Sequence, residues 1–373
     1  MKTLKDNFIA SGGKWKEYEL GKLFDVKSNP QLNKDSFVFN DDAKYPYFTR
    51  TVFNNGIAGY VEYLDDKHLI KGNSIAVGML GMKFFYMPHD FYAGQFTKTL
   101  YPKFDNFNAN IALYFISLLN KCNTSFMGLV RNFKKQFEDT KILLPTTIDD
   151  EIAYDFIEEY ITILEKEQLE ELKNQLKANK LDNTILTKDE QLALDLFRDG
   201  KIDFQRRTIG EMFRDIKVNT LNYKVGDLKN KHDAIYNLPA LTSGTDNQGL
   251  SCYVPRTNAT ILKNVLSVAL NGSAGTTFYQ SDEFTVLQDS YAIKHIKEET
   301  SKHVYLFFAS VLHNSLRLKY DWNYKAYWNK VKEEYVLVPV NDEGLNYDFM
   351  ENFIAAQEKI VLKGVFDYID STI

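Results

Sequence analysis

Two stretches decide the fold: YPYFTRTVFNNGIAGYV at Tyr45–Val61 and LPALTSGTDNQGLSCYV at Leu238–Val254. They lie 193 residues apart, and six of 17 positions are identical: Pro46/Pro239, Thr49/Thr242, Asn54/Asn247, Gly56/Gly249, Tyr60/Tyr253 and Val61/Val254. Working outward, the same shift pairs Phe85-Tyr86 with Phe278-Tyr279, Phe91 with Phe284 and Gln95 with Gln288. It lays Leu113, Phe115, Ser117 and Leu119 over Leu306, Phe308, Ser310 and Leu312. It sets YDFIEEYITILEK from Tyr154 on YDFMENFIAAQEK from Tyr347, with seven of 13 positions matching. Shared apolar patterns alone do not carry turn residues into register as well, so the chain contains an internal duplication.

Each repeat has one plan. An apolar lead-in (YELGKLF at Tyr18–Phe24, RTIGEMF at Arg207–Phe213) precedes short β-rich segments with Gly and Asn turns. A helix follows, NANIALYFISLLN or SKHVYLFFASVLH, then a strand ending at Pro145 or Pro339. Each repeat then runs into an acidic amphipathic segment. Ile152, Phe156, Ile163, Leu169, Leu172 and Leu176 mark the stripe of the first, and Phe349, Phe353, Ile360, Leu362, Val365 and Ile369 that of the second. The expected fold is α+β: two tandem, similar α/β domains, each followed by a long helix, the two helices packing as an antiparallel coiled coil. A helix docked on its own domain is the plainer reading of the same stripe. Expected boundaries are 1–147 and 204–340 for the domains, 148–183 and 341–373 for the helices, and 184–203 for an ordered connector with a turn at Asp199-Gly200.

The chain has 373 residues and a net charge of −5. The total hides alternating blocks: +5 over 1–147, −7 over 148–183, −2 over 184–203, +4 over 204–340 and −5 over 341–373. Blocks, not totals, decide which surface meets a polyanion. Cys122 and Cys252 are too few for a disulfide framework or a structural zinc site. No apolar run approaches the roughly 20 residues that span a bilayer. The start carries no signal-peptide pattern, so a cytoplasmic setting is expected.

Catalytic patterns are sparse. There is no GxxxxGK[ST], G-x-S-x-G or HExxH, and the six histidines lack metal-ligand spacing. Asp199-Gly200-Lys201 with Asp189 or Asp195 upstream is a loose match to a metal-dependent nuclease and is the enzymatic alternative. The expectation is a protein that is not an enzyme and needs no cofactor or metal.

The repeats do carry paired polar loops. Arg50 and Asn54 fall in a turn of the first, Thr245, Asn247 and Gln248 in the matching turn of the second. Arg131-Asn132-Phe133-Lys134-Lys135 follows the first helix, and Trp322-Asn323-Tyr324-Lys325 stands in nearly the same place after the other. Such side chains read base edges bidentately and neutralise phosphates, although polar turns are often only solvated. The candidate DNA contacts are Arg50, Asn54, Asn132, Lys134, Lys135, Thr245, Asn247, Gln248, Asn323 and Lys325. Scaffold positions match between repeats while tips differ, Arg50 against Ser243, as two readers of different sequences require.

W-K-x-Y-x-L-G-K-L-F from Trp15, its partner F-x-x-x-x-I-G-E-M-F from Phe204 and the repeated YDF at the start of each long helix resemble the specificity (S) subunits of type I restriction–modification systems, or of related systems with a fused methylase–nuclease. The resemblance covers nearly the whole chain. It implies two target-recognition domains, each reading one half of a bipartite site in double-stranded DNA. It also implies helices that set the spacing and bind methyltransferase (modification) subunits, with a restriction or fused methylase–nuclease subunit as a further partner and no membrane role. The non-enzymatic alternative is a duplicated protein-interaction adaptor without DNA binding.

Overall fold

The computed structural model describes residues 1–127, 132–223 and 228–373, and divides them into two units, Met1–Gln175 with Thr372–Ile373, and Leu176–Ser371. The first unit runs α1 (Lys2–Ala10), β1 (Lys14–Glu19), α2 (Leu20–Leu23), β2 (Phe24–Ser28), β3 (Tyr45–Phe48), β4 (Ile57–Val61), β5 (Ser74–Gly78) and β6 (Lys83–Met87). It continues with β7 (Tyr92–Ala93), β8 (Thr97–Pro102), α3 (Ala109–Lys121), α4 (Phe133–Asp139), β9 (Lys141–Thr146) and α5 (Tyr154–Ala178). The second unit follows with α6 (Lys188–Arg198), β10 (Asp203–Thr208), α7 (Ile209–Met212), β11 (Phe213–Asp215), β12 (Tyr236–Leu241), β13 (Leu250–Pro255) and β14 (Val265–Ala269). Then come β15 (Thr277–Gln280), β16 (Thr285–Val286), β17 (Ser290–His295), α8 (Lys302–Leu316), α9 (Trp328–Val331), β18 (Tyr335–Asn341), β19 (Gly344–Leu345) and α10 (Tyr347–Thr372).

Both units build the same sheets. Strand order β2-β8-β5-β6 in the first is answered by β11-β17-β14-β15, order β4-β3-β7 by β13-β12-β16, and the pair β1-β9 by β10-β18-β19. In the first unit, one face of the four-stranded sheet (Phe24, Val26, Ile75, Val77, Phe84, Leu100) packs on Phe115 of α3 and Phe133 and Phe137 of α4. The opposite face (Ala76, Phe85, Met87) meets Phe48 of the three-stranded sheet. The alternation along β5 therefore serves two apolar layers, which is why Ser74–Gly78 is buried throughout.

Registers refine the repeat. Tyr47 pairs with Tyr92 where Ala240 pairs with Thr285, a shift of 193 on both strands. In the lead-in strands Trp15 pairs with Pro145 where Phe204 pairs with Pro339, shifts of 189 and 194. Ile75 and Leu266 occupy equivalent places at a shift of 191, because the β13–β14 connection is shorter than β4–β5 and the β14–β15 turn, longer than β5–β6, restores 193. The constant offset read from sequence thus holds over much of the repeat and breaks at loops. The shared glycine of L-G-K-L and I-G-E-M has a steric cause: a Cβ at Gly21 would lie 2.8 Å from Cβ of Glu138, and one at Gly210 would lie 2.9 Å from the Lys332 carbonyl oxygen.

The first long helix begins at Tyr154 rather than 148, after a turn at left-handed Asp150 (φ 68°). Phe156, Ile157 and Ile161 at its start are buried within the first unit, and Phe349 and Met350 of α10 within the second. Side chains tie each long helix to its own domain helix. Asn108 Nδ2 donates to Glu158 (3.2 Å) and Asn110 Nδ2 to Thr162 (3.0 Å) in one unit. In the other, His303 bridges Glu351 (2.7 Å) and Glu358 (2.9 Å). Within 184–203 lies α6, opened by a capping box in which Thr187 and Glu190 exchange hydrogen bonds.

Candidate nucleic-acid interface

The loop after β3 closes on itself. The Thr49 N–H donates to the Gly56 carbonyl at 2.7 Å, and the Thr242 N–H to the Gly249 carbonyl at 3.0 Å. Three consecutive left-handed residues make each closure: Asn54, Asn55, Gly56 (φ 46°, 51°, 79°) and Asn247, Gln248, Gly249 (φ 46°, 56°, 88°). Asparagine tolerates that region better than most residues, and glycine best. At Gly56 a Cβ would also lie 2.2 Å from a Phe48 ring carbon. The recurrence of asparagine at 54 and 247 therefore has a backbone cause. Asn54 Nδ2 donates to the Ile57 carbonyl at 3.1 Å, inside its own turn. Gln248 accepts from Gln280 through its backbone carbonyl at 3.1 Å, leaving its exposed side chain outward.

What projects from the closure is 50–53 in one unit and 243–246 in the other. Arg50 is exposed, its guanidinium 5.5 Å from the centre of the Phe96 ring. The β5–β6 turn lies against it: a Cβ at Gly78 would fall 2.9 Å from Arg50 Cα, and one at Gly81 2.5 Å from Val52 Cγ1. The second unit repeats the arrangement. The Ser273 N–H donates to the Ser243 carbonyl at 3.4 Å, and a Cβ at Gly272 would lie 2.6 Å from Ser243 Oγ. Beside Arg50 a shallow cleft is lined by Asn33, Lys34, Thr49 and Gln95. The cleft holding Asn247 and Gln248 also contains Asp282 and Glu283, the wrong sign for a phosphate.

Asn132, Lys134 and Lys135 do not form a loop like Trp322–Lys325. Arg131 lies outside the described residues. Asn132 precedes α4 without a side-chain capping bond, Phe133 is buried, and Lys134 and Lys135 are exposed on α4. Lys134 Nζ lies 3.9 Å from Asp25 and 3.7 Å from Glu138. It also faces Lys98, whose ammonium donates to Ser28 Oγ at 2.8 Å. Burial and then the Lys134 charge hold the Lys98 pKa below the usual lysine range, and an anion at this place would relieve both. Lys98 pairs with Val77 on β5, directly below the β5–β6 turn that packs against Arg50, so one end of the sheet gathers both groups of the first unit.

In the second unit Asp321 Oδ1 accepts from the backbone N–H groups of Asn323 and Tyr324, both at 2.7 Å, setting the loop. The Ala326 N–H donates to the Leu270 carbonyl at 3.1 Å, which fixes that loop on the β14–β15 turn and so beside Ser243. Trp322 and Tyr324 are exposed, and Tyr324 stacks on Tyr320 at 5.2 Å with Lys330 over its free face at 3.8 Å. Lys34, Phe96 and Lys98 stand beside the candidate residues and were not singled out from the sequence. Of these neighbourhoods only Gln95/Gln288 left a signal, as a match under the shift.

The carboxylates of the alternative catalytic centre are engaged by cations. Asp199 is ion-paired to Arg198 (3.4 Å) and Lys201 (3.1 Å), and Asp195 to Arg198 (2.9 Å). Among the described residues no three His, Cys, Asp or Glu side chains cluster as a metal site. No helix there is long and apolar enough to cross a membrane.

Residues 12–174 and 201–363 each match the family described as the type I restriction modification DNA specificity domain. The sequence is 25% identical, over 352 residues, to the type II restriction enzyme BgcI specificity subunit S.BcgI of Heyndrickxia coagulans, covering 94% of this chain and 96% of that one. Among solved structures, a type-I restriction-modification system S subunit from M. genitalium aligns with TM-score 0.49 at 17% identity, over 96% of this chain and 93% of that chain. The HsdS subunit from Thermoanaerobacter tengcongensis aligns with TM-score 0.31 at 8% identity, over 96% and 90%.

Proposed function

The chain belongs to the type I restriction modification DNA specificity domain family, with the domain present twice, and on that premise we propose that each unit reads one half of a split site in double-stranded DNA while its methyltransferase partners perform the chemistry. The observation that carries this reading is one scaffold built twice, with the same loop closure and the same turn packed on it, but different side chains at the tip: Arg50 against Ser243. Reading a sequence needs a fixed frame and variable contacts.

Within this reading Arg50 and Thr245, on the projecting segments, contact base edges. Lys134 and Lys135, with Lys98 behind them, meet phosphate, as do Asn323 and Lys325 beside the exposed Trp322. Asn132 is placed with the first group. Asn54, Asn247 and Gln248 hold the tips in position and contact DNA from the base of the loop. The long helices set the distance between half-sites by pairing with each other, and they dock the modification subunits, in the cytoplasm where the genome lies.

Methylation mapping of the source genome with this gene intact and deleted tests the proposal. Loss of one motif made of two short half-sites around a fixed gap is expected. An unchanged methylome, in a strain expressing the partner methyltransferase, overturns it and leaves the adaptor reading.

A further inference from the structure

The tips of the two units differ in kind, not only in sequence. Around Arg50 the first unit exposes Val52 (45%), Phe53 (71%), Leu80 (58%) and Phe96 (42%). The segments that carry them are neighbours. Val52 lies on Gly81, next to Leu80, and the Met79 N–H holds the Phe96 carbonyl at 2.9 Å. Single exposed apolar residues need no explanation, but four on adjoining segments around one cation do. Phe96 and Met82 are also both left-handed (φ 58° and 45°), which is costly for bulky side chains and is kept where geometry serves a purpose. In the second unit the corresponding places are Ser243, Asn271 and Asp289, all polar, and Asp289 is not left-handed.

We propose that the first unit recognises a half-site in which a guanine adjoins a thymine, with Arg50 on the guanine and the Val52–Phe53–Leu80 rim against the thymine methyl, and that the matching segments of the second unit, Ser243–Asp246 and Asn271, read by hydrogen bonds. This rests on the DNA-reading function proposed above. A guanidinium held over an aromatic ring by its charge leaves its N–H groups free, and that fork matches guanine O6 and N7. Phe96 is then a positioning residue that holds the fork in one plane. The major-groove feature that favours apolar contact is the thymine C5 methyl. The rim is fixed around Arg50, so the two bases it serves are adjacent.

The test uses the complex assembled with its methyltransferase subunits and duplexes carrying the mapped motif. Each guanine is replaced in turn by 7-deazaguanine and each thymine by deoxyuridine. One half-site should lose affinity roughly tenfold on guanine replacement and about fourfold on methyl removal. The other should ignore deoxyuridine. Arg50→Ala should abolish the guanine effect, Arg50→Lys should restore affinity but not discrimination, and Val52→Ala with Phe53→Ala should abolish the methyl effect. Phe96→Ala should relax the same guanine position, and Phe96→Tyr should rescue it. A mapped motif whose Arg50-dependent half lacks guanine, or is indifferent to deoxyuridine, overturns the inference while leaving the DNA-reading function standing. Loss of methyltransferase assembly in the rim variants, with the motif unchanged, overturns it in favour of a protein contact. Absence of any split motif removes both.

Discussion

Asn247 shows how one residue answers to two demands. Its match with Asn54 was legible as a repeated turn residue, yet sequence alone could not separate a base reader from a backbone device. The left-handed φ of 46° makes the separation experimental. Asn247→Gly should keep the fold and Asn247→Ala should cost about 1 kcal/mol or more, measured by denaturant unfolding. If Asn247 contacts a base, both variants relax one position of the methylated motif; if it acts only through the turn, the glycine variant methylates as wild type. Gly56→Ala should be harsher, at least about 2 kcal/mol, because it combines a left-handed backbone with a clash on Phe48. Phe96 was not legible because its partner Arg50 is far away in sequence, and no local pattern announces a ring beneath a guanidinium.

Elements were legible where periodicity was long. Both long helices were readable from their apolar stripes, and their first turns bury Phe156 and Phe349 in their own units. The start of the first was not: the turn at Asp150 closes through Thr147 and Glu151 backbone bonds (3.2 and 2.8 Å), with Lys14 and Lys16 of β1 on the Asp150 carboxylate (2.7 and 3.3 Å). The short helix α6 depends on a contact no stripe reveals. Lys359 on α10 reaches Glu190 at 2.8 Å, and both side chains are nearly buried. Burial opposes the Glu190 charge, but Lys359 and the Thr187 cap outweigh it and hold its pKa below the usual glutamate value. Lys359→Met should therefore cost on the order of 3 kcal/mol, and the double variant with Glu190→Leu less than the sum. Because the folded pKa is depressed, this stability is complete above the unfolded glutamate value and is lost as pH falls through the folded one. Unfolding midpoints of the double-mutant cycle at neutral and acidic pH check both statements.

At the scale of the molecule, duplication was the most legible property, because paired turn residues survive where tip residues do not. The offsets that break it lie in loops, where insertions leave strand pairing intact. Duplication is also imperfect in chemistry. His295 ends β17 where the first unit has Pro102, and it is buried among Phe213, Phe308 and Tyr347. Its Nδ1 accepts the Lys297 N–H at 3.0 Å, which places the proton on Nε2, an atom with no hydrogen-bond partner. Burial pushes its pKa down to about 4 from 6.5. The folded chain holds the ring neutral while the unfolded chain protonates it, so stability is full above pH 6.5 and declines as pH falls toward 4. Denaturant midpoints of the whole chain should fall across that window, and His295→Phe should flatten the fall while lowering stability at pH 7.

The closure between Thr49 and Gly56 separates the history of the tip from that of the scaffold. A segment whose ends are tied together behaves as a cassette. Residues 50–53 touch the β5–β6 turn but lie outside the buried apolar layers, so changes there put little of the core at risk. If the tip reads DNA as proposed, recombination need not exchange a whole domain to found a lineage with a new genomic address, and transplanting 50–53 with the β5–β6 turn into a sister protein's frame should suffice.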